Sequence, residues 1–142
     1  MLEDSLCKWF AKKIGFNDSS GGIAASGGTL SNLNALIAAR NNAGLGSDPN
    51  SVLLVSEDAH SSFIKCIRIM GLEATNLVKI KTDKQGRMAI NNLRKSLDKC
   101  LIENKKIFAI VATIGTTVRG AIDPIKEISQ LCKERNIWLH ID

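Results

Sequence analysis

The sequence predicts an α/β fold, a mostly parallel sheet flanked by helices. Three observations carry that prediction. Strand and helix patterns alternate along the chain with no internal repeat or low-complexity segment. Two runs, 51–56 and 107–113, are apolar without alternation, as in strands buried on both faces. Polar clusters follow the strands at Ser56–His60, Thr113–Thr117 and Asp142, the edge where such sheets bind ligands.

Each element has its own signal. Leu2, Leu6, Trp9 and Phe10 recur at helical spacing and predict an amphipathic helix over 2–14. Residues 15–22 are rich in Gly, Asn, Asp and Ser and read as a break. Ile23-Ala24-Ala25 reads as a short extended approach to a Gly27-Gly28 turn. A helix over 29–42 follows, with Leu33, Leu36, Ile37 and Arg40 in phase, then a loop over 43–51. After the strand at 51–56, a helix over 61–70 stops at Gly71. A strand at 76–80, a turn at 83–86 and a helix over 90–103 lead to the strand at 107–113. Asp123-Pro124 reads as an N-cap followed by proline at the first helical position, opening a helix to Arg135. Residues 137–141 are the last strand.

Composition excludes several classes. At 142 residues the chain has the length of one ordinary domain, and 44% hydrophobic content suits a globular protein. No apolar run approaches the roughly 18 residues that span a membrane. Met1-Leu2-Glu3-Asp4-Ser5 lacks the basic start and apolar core of a signal peptide, so a cytoplasmic location is expected. The net charge of +5 is spread over helix faces, and aromatics make up only 4%. Neither a basic patch nor a stacking platform for nucleic acid results. Cys7, Cys66, Cys100 and Cys132 lie far apart, without the close pairs of a zinc site. They read as buried free thiols, and no metal is expected.

The candidate chemistry lies at the strand ends. In Ser26-Gly27-Gly28-Thr29 the glycines admit an anion close to the backbone, and the following helix offers its positive end. The pattern is neither a P-loop nor G-x-G-x-x-G, and taken alone a plain tight strand-to-helix turn explains it better. His60 either caps a helix or stacks on a flat ring and moves protons. Thr116 and Thr117 are turn hydroxyls or phosphate donors. Asp142 is a helix cap or the partner of a cationic ring nitrogen. A phosphate to cradle, a ring to stack and a pyridine nitrogen to ionise together describe pyridoxal 5′-phosphate.

Four blocks resemble one family in order. Residues 21–33 through Ala38-Ala39-Arg40 resemble the phosphate segment of the group II pyridoxal-dependent amino-acid decarboxylases. Asp58-Ala59-His60-Ser61-Ser62 with Lys65 resembles their ring-stacking segment. Residues 112–117 with 120–125 resemble the next block, and Trp138-Leu139-His140-Ile141-Asp142 the block that binds the pyridine nitrogen. The resemblance implies the large domain of a fold-type I enzyme and release of CO2 from an L-amino acid. It implies Gly28 and Thr29 on the phosphate, His60 on the ring, Thr117 on the cofactor and Asp142 on the ring nitrogen. His60 and Asp142 are the implied catalytic residues, while His140 is expected either to support them from behind or to be structural, not catalytic. A homodimer and a small-molecule amino-acid substrate are also implied, and the Ser-Gly-Gly-Thr form leans towards diaminobutyrate- or glutamate-type substrates.

The family's Schiff-base lysine lies beyond the aspartate block and is not found in context here. Residues 1–142 are therefore expected to be a partial cofactor-binding domain, inactive alone. The N-terminal segment, lysine region and small C-terminal domain are expected to be missing. Such a piece should leave an unpaired sheet edge and exposed apolar helix stripes. The competing readings are another fold-type I enzyme (an aminotransferase, a cysteine desulfurase or an aldolase), a non-catalytic remnant, and a dinucleotide-binding domain.

Overall fold

The computed structural model describes residues 2–142, so Met1 of the N-terminal stretch lies outside the described residues. Residues 1–31 and 32–142 form two compact units.

The first unit is built on α1 (Leu2–Lys13). Glu3 and Asp4 in its first turn and Lys12 and Lys13 in its last complement the helix dipole. Gly15, at φ +84°, turns the chain out of the helix. The Ala24 N–H donates to Glu3 Oε1 at 2.7 Å, fixing the segment that follows. Ile23–Ala25 leads to the glycine turn without joining the sheet. The expected apolar stripe is exposed: Leu2 is 85% and Trp9 54% accessible. Helix α2 (Gly28–Asn42) begins at the glycine turn and continues into the second unit.

The second unit holds a four-stranded parallel sheet in the order β2-β1-β3-β4. Its strands are β1 (Ser51–Ser56), β2 (Leu77–Ile80), β3 (Lys106–Ala112) and β4 (Trp138–Ile141). Every residue of β1 is buried, as its unbroken apolar run requires for a central strand. The helices are α3 (Ser62–Ile69), α4 (Ile90–Ile102) and α5 (Ile125–Arg135). Val52, Leu54, Ile110 and Ala112 pack against α4 and α5 through Leu93, Leu97, Ile128 and Leu131. Leu53, Val55, Ala109 and Val111 pack on the other face with Leu36 of α2 and Phe63 and Ile67 of α3. The chain moves one way across the sheet from β1 to β2 and the other way from β2 to β3 to β4. Keeping every crossover the same hand therefore puts α3 on one face and α4 and α5 on the other.

One irregularity crosses the middle of the sheet. Val52 pairs with Ile107, but Leu53 pairs with Ala109, leaving Phe108 as an extra residue on β3. Phe108 and Ala109 consequently join the same core, where strict alternation would have separated them. Cys66, Cys100 and Cys132 are buried and free, as expected, while Cys7 is only half-buried. Burial pushes the Cys132 thiol up to about 11, so it is inert as a nucleophile.

Asp123 corrects a sequence expectation. It does not cap α5, whose N-cap position is Pro124 without a side-chain bond. Its carboxylate, on a residue 2% exposed, instead accepts the N–H of Met88 at 2.6 Å and of Thr113 at 2.8 Å. It thereby fastens the start of the loop after β3 to the segment before α4. Asp123→Ala should leave two buried backbone donors unpaired, a loss of at least about 2 kcal/mol. Hydrogen exchange measured peptide by peptide should show the Met88 and Thr113 amides losing protection; unchanged protection there would contradict this role.

Candidate functional site

The strand order reverses between β1 and β3, and in such sheets ligands bind outside the carboxyl ends of the strands at that point. The chain leaving β1 turns through Glu57–Ala59 to His60. His60 is exposed, and its Nδ1 accepts the Ser62 N–H at 3.2 Å. That bond caps α3, whose N-cap residue Ser61 makes no side-chain bond of its own. It uses a nitrogen in the ring plane, so it orients the imidazole without consuming a ring face. With Nδ1 accepting, the proton of the neutral ring sits on Nε2.

The loop after β3 separates the two threonines. Thr116 is buried, and its Oγ1 accepts the Ala121 N–H at 3.0 Å, so it holds the turn. Thr117 is exposed at the tip. Gly115 at φ +96° and Gly120 at φ +61° supply backbone that other residues rarely adopt. Arg119 of this loop faces Asp58 of the β1 loop, Nε to Oδ2, at 4.0 Å.

Beyond β4, the ladder extends to Asp142: its N–H donates to Ala112 O at 3.0 Å, and its carbonyl accepts the Ile114 N–H at 2.8 Å. The Asp142 side chain is half-buried, and Oδ1 accepts Asn32 Nδ2–H at 3.0 Å. Asn32 Oδ1 in turn lies 2.9 Å from His140 Nε2. His140 packs edge-to-face on Phe63, 6.2 Å between centroids. Burial pushes its imidazole below the ordinary value, with the Asp142 charge opposing. Buried and bonded, His140 has the structural surroundings expected of it.

Gly28 and Thr29 form the start of α2 in the first unit. The N–H groups of Leu30 and Ser31 both donate to Gly27 O at 3.0 Å, which closes the first turn. A Cβ on Gly27 or Gly28 would meet no described atom within 4 Å. Chain packing therefore does not demand glycine at either position.

Three features escaped sequence reasoning. Asn32 was one polar letter in a glycine-rich segment, yet it is only 7% exposed and links two other residues. Its spacing of four from Leu36 was the available signal, since that places both on the inward face. The hydroxyls of Ser62 and Thr113 are buried without a partner among the described residues. They belong to the elements that follow β1 and β3, where polar groups without protein partners suit a ligand edge.

These donors and acceptors suit pyridoxal 5′-phosphate, which is anionic at its phosphate and basic at its ring nitrogen. In the first unit, the start of α2 at Gly28 and Thr29 suits a phosphate; in the second unit, a fixed, half-buried carboxylate suits a basic nitrogen. Comparison with known proteins gives the family. The model of the pyridoxal-dependent decarboxylase conserved domain matches residues 1–142. An aromatic-L-amino-acid decarboxylase of Bacillus atrophaeus is 34% identical over 99% of this chain and 29% of its own length. An L-2,4-diaminobutyrate decarboxylase of Rhizobium meliloti is 39% identical over 87% of this chain and 25% of its own. A crystal structure of Catharanthus roseus tryptophan decarboxylase in complex with L-tryptophan superposes with a TM-score of 0.90. It has 27% identity and covers 99% of this chain and 33% of that one. The chain thus spans about a third or less of the proteins it matches. With the family model matched from end to end and the parallel sheet shared, the chain belongs to the pyridoxal-dependent decarboxylase family.

Proposed function

We propose that this chain is the part of an amino-acid carboxy-lyase that holds pyridoxal 5′-phosphate, and that the whole protein releases CO2 from an L-amino acid. The observation that carries the reading is Asp142: a half-buried carboxylate at a strand end, held through one oxygen by Asn32. Pyridoxal 5′-phosphate, when bound, supplies an acceptor for the electron pair that departing CO2 leaves behind.

The chain's own residues bind, orient and tune. Gly28 and Thr29, at the start of α2, take the phosphate with backbone N–H groups and the positive helix end. His60 lends the flat face of an imidazole already fixed by its bond to Ser62. Thr117 offers a hydroxyl from the tip of the β3 loop. Asp142 keeps a proton on the ring nitrogen by placing a negative charge beside it. The relatives differ in substrate, from aromatic amino acids to diaminobutyrate. In our reading, what this chain contributes is the cofactor site common to those types. A homodimer is part of the same proposal.

The test is to supply the full-length protein with pyridoxal 5′-phosphate and carboxyl-labelled L-amino acids of each class, and to collect labelled CO2. Release from one class is expected; no release from any would overturn the reading. Asp142→Asn should lower kcat by about 100- to 1,000-fold, on the scale of removing one preorganised electrostatic group from an active site. A turnover number within about twofold of the parent's would contradict its role. Gly28→Val should leave the melting temperature of the cofactor-free protein unchanged, because its side chain would meet no described atom within 4 Å. It should weaken cofactor binding by about 10- to 100-fold, the size of lost hydrogen bonds to a charged group. Fluorescence titration of the cofactor measures this directly, and unaltered affinity would remove Gly28 from the phosphate site.

A further inference from the structure

We propose that Asn32 is a positioning residue for Asp142, and that His140 fixes the direction in which Asn32 acts; the inference rests on the reading of Asp142 as partner of the cofactor's ring nitrogen. Three side chains from two elements form one line. Asn32 of α2 donates through Nδ2 to Asp142 Oδ1 at 3.0 Å, and its own Oδ1 faces His140 Nε2 of β4 at 2.9 Å. Asn32 is 7% and His140 9% exposed, so water does not compete for either.

The line has one polarity. A carboxylate only accepts, so the amide nitrogen of Asn32 must face it. The amide oxygen then faces His140, so His140 must carry its proton on Nε2. A flipped amide would set oxygen against carboxylate and N–H against N–H, losing both bonds. The terminal torsion of an aspartate is broad when nothing fixes it. Here one oxygen is engaged by Asn32, which selects a single setting of the carboxylate and leaves Oδ2 to meet a cation. Among the described residues, Cys66 of α3 also feels the charge of Asp142, and burial raises its thiol. His140 and Cys66 therefore present no fixed negative charge that would reorient the carboxylate.

Hydrogen bonds to charged groups set the scale of the effect, about 10- to 100-fold. In the full-length protein, Asn32→Leu and His140→Leu should each weaken cofactor binding by about 10-fold or more, and lower kcat more than they raise KM. His140→Gln places an N–H near the position of Nε2 and should restore most of the loss. Solid-state NMR with 15N-labelled cofactor supplies a readout apart from turnover. The ring nitrogen should be protonated in the parent and in His140→Gln, and should move towards the neutral shift in both leucine variants. The same method on labelled histidine should find His140 protonated at Nε2.

A leucine variant with a lowered melting temperature but unchanged ring-nitrogen shift and affinity would make Asn32 merely structural and overturn the inference. A His140 proton on Nδ1 alone would do the same. Asp142→Asn separates the two levels. If it alone neutralises the ring nitrogen, the reading of Asp142 stands and the role of Asn32 falls. If the parent protein binds no cofactor, both fall.

Discussion

Everything at the candidate site depends on the reversal of strand order beside β1. Parallel strands need long crossovers, and those crossovers keep one hand. Running from β1 to β2, and then back across β1 to β3 and β4, sends helices to both faces and buries the central strands twice over. At the point of reversal the connections leave in opposite directions. The carboxyl ends of β1 and β3 therefore stay uncovered by their own crossovers, and His60 and Thr117 sit on the segments that start there.

Buried polar groups also set the loops at both ends of the sheet. Asp123 binds two backbone N–H groups, and Arg40 donates to the carbonyls of Leu45, Met70 and Asp48 at 2.8–3.3 Å. Asn76 donates to Pro49 O and Ser51 O, tying the entry of β2 to the entry of β1. Each of these satisfies backbone groups that would otherwise be buried unpaired. Asn32 differs, because its partners are side chains and one of them is the carboxylate of the site. The same physical device that fixes loops elsewhere here fixes the Asp142 side chain.

The sheet and its helices were legible because apolar runs and helical spacing report burial, and burial decides these elements. Ser51–Ser56 was read to the residue, since both of its faces are covered. Reading was weaker where a polar side chain has several possible partners. Asp123 next to Pro124 carries the local signature of a cap, yet its carboxylate bonds to Met88, 35 positions away in sequence. Asn32 fails in the same way, with partners 108 and 110 positions distant. Local pattern does not encode such pairings. The strand-end pattern singled out Gly28, Thr29, His60, Thr117 and Asp142, resemblance to a family gave each a role, and the fold explains why the last three follow strands.

The most direct measurement is a crystal structure of the full-length protein grown with pyridoxal 5′-phosphate. The account predicts the ring nitrogen within hydrogen-bond distance of Asp142 Oδ2, the imidazole of His60 stacked on the ring, and the phosphate at the start of α2. A cofactor bound elsewhere, or with its nitrogen turned away from Asp142, would contradict it.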